Sequence, residues 1–379
     1  MKRATVQLGD FLTLKRGYDL PEHARLPGEI PVISSSGVTG THKEAKVYGP
    51  GVVTGRYGTL GEVFYIDEPF WPLNTALYVQ DFKGNHRRFV SYFLRWVLNG
   101  TQSDKAAVPG VNRNDLHARK VQVPDDLSEQ AEIASVLSAY DDLIENNRRR
   151  IQLLEQAARL LYKEWFVHLR FPGHEHTRII DGVPEGWVRK TLEDLCDHVN
   201  YGYTASANEN NIGPKFLRIT DIVPETIDWG HVPHCEIDEK KLQKFRLIEG
   251  DIVVARTGAT VGYAKRVGPR LPVAVFASYL VRFRFGRQYD NILGGIFMES
   301  DDYKAYVRSN ISGAAQPNAN AHILGGVKIL VPPVTLKRLF REIAEPIINQ
   351  RIVLQEQNQN LAKARDLLLP KLMNGEVAV

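Results

Sequence analysis

The chain is 379 residues long but contains only two cysteines, Cys196 and Cys235, and three methionines. Neither cysteine has metal-ligand spacing around it, so neither a disulfide framework nor a zinc site is expected, and a reducing cytoplasm fits. No apolar run approaches the ~20 residues needed to span a membrane. The amino-terminal stretch is basic but lacks a long apolar core and a small-residue cleavage site, so no signal peptide is expected. Catalytic signatures are also missing. There is no GxxxxGK[ST] phosphate loop and no GxGxxG after a strand. His174-Glu175-His176 lacks the spacing that puts two histidines on one helix face, and reads as solvated chain. Val331-Pro332-Pro333-Val334 is not the Asn/Asp-Pro-Pro-aromatic signature of amino-methylating DNA enzymes. No Ser, His and acid combination stands out.

Charge of one sign is scarce too, since 48 Lys and Arg face 44 Asp and Glu for a net +4. Its distribution says more. Residues 1–120 carry 16 basic and 11 acidic side chains, a net of +5, while residues 121–170 carry 6 and 9, a net of −3. The first globular segment is mildly basic and permits nucleic-acid binding without demanding it.

Glycine and proline vanish from residues 126–170, a stretch rich in Ala, Leu, Glu, Gln and Arg. This composition favours one long helix, with Ser128 as the expected N-cap and Pro172-Gly173 as the stop. Leu137, Tyr140, Ile144, Asn147, Ile151, Leu154, Ala158, Leu161 and Trp165 alternate at spacings of three and four. That is an a/d seam calling for a helical partner, with Asn147 as a register-fixing polar residue. A second seam is read from Phe340 through Ile343, Ile347, Gln350, Leu354, Gln357, Leu361, Ala364 and Leu368 to Leu372. Gln350 and Gln357 interrupt it, and Pro346 is expected near the helix start or at a kink. Leu154 and Ile151 are expected to be buried between the two helices.

The two halves of the chain echo each other. Arg16-Gly17-Tyr18 returns as Tyr201-Gly202-Tyr203. Val52-Val53-Thr54-Gly55-Arg56-Tyr57-Gly58 returns as Ile252-Val253-Val254-Ala255-Arg256-Thr257-Gly258. Lys120-Val121-Gln122-Val123-Pro124 returns as Lys328-Ile329-Leu330-Val331-Pro332. Pro31-Val32-Ile33, Phe216-Leu217-Arg218-Ile219, 61–66 and 273–276 read as strands, and 87–98 and 301–309 as short helices. The fold class expected is α+β, with two repeated mixed globular domains separated by two long antiparallel helices forming a coiled coil. The expected boundaries are 1–124 for the first domain, 125–171 for the first helix and 172–186 for a linker. The second domain follows at 187–335 and the second helix at 336–379.

The candidate binding residues lie in polar loops. Arg56 and Arg256 each end a strand beside a turn, and arginine suits bidentate contact with guanine or phosphate. Tyr57 and Thr257 follow them. Asn112, Arg113 and Asn114, and Asn318, Asn320 and His322, hold matched places before the long helices. Asparagine can pair with adenine, or can simply build a turn. Tyr18 and Tyr203 are candidates for stacking on a base or sugar, or for ordinary core positions.

The stretches VPGVNRNDLHARKVQVPDDLSEQAEIASVL, LLYKEWF and AAQPNANAHILGGVKILVPP, in this duplicated order, resemble the specificity subunits of type I restriction-modification systems. The resemblance covers nearly the whole chain. It implies two target recognition domains, each reading one half of a bipartite double-stranded DNA site. It implies no catalysis in the chain itself and no cofactor of its own. The partners implied are two modification (methyltransferase) subunits, which use S-adenosylmethionine, and restriction (translocase and nuclease) subunits. A helix of ~42 residues is roughly 60 Å long, enough to hold two readers on separated segments of one duplex. The alternatives are a single-chain DNA-modifying or DNA-cleaving enzyme, and a coiled-coil scaffold that binds only protein.

Overall fold

A computed structural model describes residues 3–56, 61–99, 112–224, 226–311 and 317–379. The chain divides into two compact units, Met1–Glu145 with Gln359–Val379, and Asn146–Asn358. Each unit takes one part of the first long helix, Leu127–Tyr162, and one part of the second, Val334–Asn374. No helix among the described residues is long and apolar enough to cross a membrane.

In the first unit a four-stranded antiparallel sheet runs in the order Thr13–Arg16, Ala76–Asp81, Gly51–Gly55, Val63–Ile66. In the second the order is Cys196–Tyr201, Leu280–Phe285, Ile252–Ala255, Ala264–Arg266, which is the same topology. Each unit adds a parallel pairing, Ile30–Ser34 with Trp71–Pro72 in one and Lys215–Leu217 with Ala274–Phe276 in the other. Each also pairs the strand before its long helix with an early strand, Arg3–Gln7 with Lys120–Pro124 and Val188–Thr191 with Lys328–Val331. The central strands Gly51–Gly55 and Ile252–Ala255 are buried throughout, with Val52, Val53, Ile252, Val253 and Val254 at their middle.

The Gly-Tyr repeat has a geometric cause. The Tyr18 N–H donates to Pro72 O and Tyr203 N–H to Phe276 O, at 2.8 and 2.7 Å. These bonds draw the preceding glycine against the neighbouring strand. A Cβ at Gly17 would sit 2.2 Å from Leu73 O, and one at Gly202 the same distance from Ala277 O. Because the obstruction is backbone, Gly202→Ala should destabilise the second unit by about 1–3 kcal/mol. Urea titration of the variant tests this, and an unchanged midpoint would refute it.

The long helices pack as an antiparallel pair inside each unit. In the first, Ile133 and Leu137 share a core with Leu369, Leu372 and Met373. In the second, Ala158, Tyr162 and Trp165 share one with Phe340, Ala344 and Ile348. Asn147 Nδ2 donates to Asn358 Oδ1 at 3.0 Å, so Asn147 does face the second helix.

Several expectations are corrected. The first helix begins at Leu127, and the Asp126 carboxylate, not Ser128, caps it by accepting the Ser128 N–H at 2.9 Å. It passes at Tyr162 into a wide turn, Lys163–Val167, short of Pro172. Residues 172–186 are not a bare linker. They carry the hairpin Ile179–Ile180/Val183–Pro184 and are clamped by Phe171 against Trp187, with ring centroids 4.8 Å apart. Ile219 leaves the strand to start a helical turn, because Asp221 captures both the backbone N–H and the guanidinium of Arg218.

The seam of the second helix is shifted in phase. Ile343, Gln350, Gln357 and Ala364 are exposed, and Ile347, Leu361 and Leu368 are half-buried. The inward positions are Phe340, Ala344, Ile348, Arg351, Leu354, Asn358, Arg365, Leu369 and Leu372. Pro346 lies inside a continuous helix on its exposed side, where the unpaired Glu342 carbonyl can meet water. On the first helix Leu137, Ile144 and Ile151 are buried, but Leu154 and Leu161 are half-buried. Leu354 is 1% exposed. Leu354→Ala should therefore lower the melting temperature more than Leu154→Ala. Equal shifts would contradict this packing.

Candidate nucleic-acid interface

In the second unit the strand Ile252–Ala255 ends at Arg256, whose N–H donates to Tyr279 O at 3.0 Å. Thr257 bridges back to Asn318, and Ala319 N–H donates to Arg256 O at 2.8 Å. These bonds bring the two matched loops together. The Arg256 guanidinium lies over the Tyr201 ring, 4.7 Å from its centroid, and donates from Nη2 to Asn318 Oδ1 at 3.1 Å. Tyr201 Oη accepts the Ala321 N–H at 2.9 Å, and Asn320 Oδ1 caps the next turn by accepting Ile323 N–H at 2.8 Å. His322 is exposed and stands 3.6 Å from Glu193. The result is an arginine aimed by a stacked ring and an amide, with a side chain ordered before any ligand arrives.

In the first unit Arg56 holds the same place on the same strand, its N–H donating to Thr75 O at 3.0 Å. Tyr57 lies outside the described residues. Asn112 caps the helix Arg113–Ala118 by accepting the Asn114 N–H at 2.9 Å, and Arg113 is exposed. His117 Nε2 on this helix accepts the Leu14 N–H at 2.9 Å, tying the loop to the sheet. Burial and then the neighbouring Arg113 push His117 below its ordinary value, which keeps the neutral ring that this acceptor role needs.

The asparagines thus have prior engagements. The Oδ1 atoms of Asn112, Asn114, Asn318 and Asn320 accept from Asn114 N–H, Arg113, Arg256 and Ile323 N–H respectively. These bonds brace the loops, and each amide oxygen keeps a second lone pair for another donor. Tyr18 and Tyr203 are half-buried: Tyr18 Oη meets Tyr78 Oη at 3.1 Å, and Tyr203 packs on Phe245 at 5.6 Å. Both are anchored scaffold with one exposed edge. Tyr201 was missed in the sequence. Its signal was the repeat itself, which sets Tyr201 opposite Arg16, a charged residue in an otherwise matching motif. Among the described residues no group of three or more His, Cys, Asp or Glu could hold a metal.

The chain holds two copies of one sheet, each with an arginine at the end of the matched strand, and the comparisons with known proteins place this duplicated architecture. Residues 2–156 match the family model "Type I restriction modification DNA specificity domain". The chain is 26% identical over 283 residues to the type I restriction enzyme MjaIX specificity subunit of Methanocaldococcus jannaschii. That alignment covers 69% of this chain and 62% of the relative, so it leaves over a third of the relative unmatched. The MjaVIII specificity subunit of the same organism is 24% identical over 301 residues, 77% of this chain and 70% of the relative. The crystal structure of the type I restriction-modification S subunit from M. genitalium shares the fold. Its TM-score is 0.60 at 14% identity, covering 98% of this chain and 96% of that one. Residues 2–156 thus match a type I restriction-modification DNA specificity domain, and the chain is similar over most of its length to type I specificity subunits.

Proposed function

We propose that the chain is the DNA-reading subunit of a type I restriction-modification complex, with each unit reading one half of a bipartite site. The observation that carries this is the placement of Arg56 and Arg256 at the same end of the same strand in two copies of one fold. Their neighbouring residues differ, so the two loops would select different bases from a common frame. Base contacts would specify and phosphate contacts position. The chain would have no catalysis of its own. It would recruit two modification subunits, which bring S-adenosylmethionine and methylate adenine, and restriction subunits would complete the nuclease in the cytoplasm.

The test is methylome mapping of cells with and without this chain, alongside its modification partner. The expected result is one bipartite adenine-methylated motif that vanishes when the chain is removed. A motif that persists without the chain, or that lacks an unread spacer, would overturn the proposal.

A further inference from the structure

The two long helices repeat each other at a separation of 207 residues. Gln130 and Lys337, Ile133 and Phe340, Leu137 and Ala344, and Trp165 and Leu372 are all buried in their respective places. The interior between the helices nevertheless holds polar rungs, among them the following three. In the first unit Asp141 pairs with Arg365, and Tyr92 Oη donates to Asp141 at 2.5 Å. In the second, Asn147 bonds Asn358 at 3.0 Å, and Glu155 lies 3.5 Å from Arg351. The 207-residue repeat carries each rung onto an apolar pair. Asp141–Arg365 maps to Ile348 and Ala158, Asn147–Asn358 to Leu354 and Ile151, and Glu155–Arg351 to Ala362 and Ile144. None of these six is polar, and five of them are buried.

This asymmetry has a consequence for pairing. If the first helix met a copy of itself in the same antiparallel register, Asp141 would face Ala158, Asn147 would face Ile151 and Glu155 would face Ile144. Asn147 would then face an apolar side chain in place of an amide, and Asp141 and Glu155 would lose the arginine that balances each carboxylate across the seam. The second helix paired with itself is disfavoured too, since Arg351, Asn358 and Arg365 would face Ala362, Leu354 and Ile348 across the seam in place of Glu155, Asn147 and Asp141. We propose that the three rungs are a pairing code that admits only first-with-second helix contacts and rejects like-with-like contacts with a second copy of this chain. A duplicated chain needs such a device, because its apolar seams alone are nearly interchangeable. The proposal does not depend on what DNA the units read.

The test uses the full chain with two different affinity tags, unfolded together in urea, refolded by dilution and captured on one tag. Wild-type copies should refold without exchange. Giving every rung the apolar residues of its repeat mate (Asp141→Ile, Asn147→Leu, Glu155→Ala, Arg351→Ile, Asn358→Ile, Arg365→Ala) should raise capture of the other tag by about tenfold or more, the discrimination one unsatisfied buried group supplies. The captured species should have the mass of a dimer by light scattering. The double variant Asn147→Leu/Asn358→Ile, which keeps both charged rungs, should show a smaller rise, and it decides alone if the sixfold variant does not refold. Capture no higher than wild type, or capture only as large aggregates, would overturn the proposal.

Discussion

Replacing Glu299 with alanine should destabilise the chain by about 3–5 kcal/mol, the penalty for leaving buried positive charge without its partner. Glu299 follows the helix Gln288–Met298 and receives Arg351 Nη1 at 2.9 Å and the Arg266 N–H at 3.3 Å. Glu155 stands on the other side of Arg351. Burial alone would raise the Glu299 carboxyl, but the Arg351 and Arg266 guanidiniums overcome it and hold the group down at about 2. A depressed carboxylate contributes stability that is complete above its unfolded value, 4.5, and is lost as pH falls towards the folded value of about 2. The gap is worth roughly 3 kcal/mol. Glu299→Gln keeps the shape and removes the titration. Urea midpoints of wild type and Glu299→Gln should therefore converge between pH 4.5 and 2, with wild type the more stable at neutral pH. Parallel curves across that window would show that Glu299 is not the anchor of this network.

The duplicated order, the strands before each long helix and the two helices themselves were legible in the sequence, because each rests on local signals. Residues 120–124 and 328–331 alternate towards a core, and residues 127–162 contain no helix breaker. The phase of the second helix was not legible. An apolar-residue count favours Ile343 and Ala364 as inward positions, but the true seam admits Arg351, Asn358 and Arg365, whose partners lie about two hundred residues away or more. Polar residues satisfied by distant chain look like surface until the partner is seen. The same blindness affected the site. Asn112 and Asn320 stand where a reader would put base contacts, yet helix capping explains them first. Tyr201 entered only as part of the repeat with Tyr203, while its ring is the platform beneath Arg256. A stacking partner needs no motif, only a place on the adjacent strand.

Removing Arg256 should change base preference at one half of the recognised site and leave the other half untouched. Arg256 is held over Tyr201 and bonded to Asn318, so its fork is positioned before DNA binds. A bidentate contact to guanine is worth ~1–3 kcal/mol of discrimination, or roughly ten- to a hundredfold. Arg256→Ala forfeits that at a single position. Arg256→Lys keeps the charge without the planar fork, so it should retain phosphate attraction but lose most of the discrimination. Arg56→Ala should act in the same manner on the opposite half-site. Tyr201→Phe keeps the ring beneath Arg256 but removes the oxygen that accepts from Ala321, so its effect on base choice should be the smaller. Each variant is assembled with its modification partner and scored by methylation across a library randomised at both half-sites. Equal loss over all sequences, with Lys restoring Arg256 activity, would assign the side chain to phosphate contact instead. A changed preference in both half-sites from either single variant would overturn the division of reading between the two units.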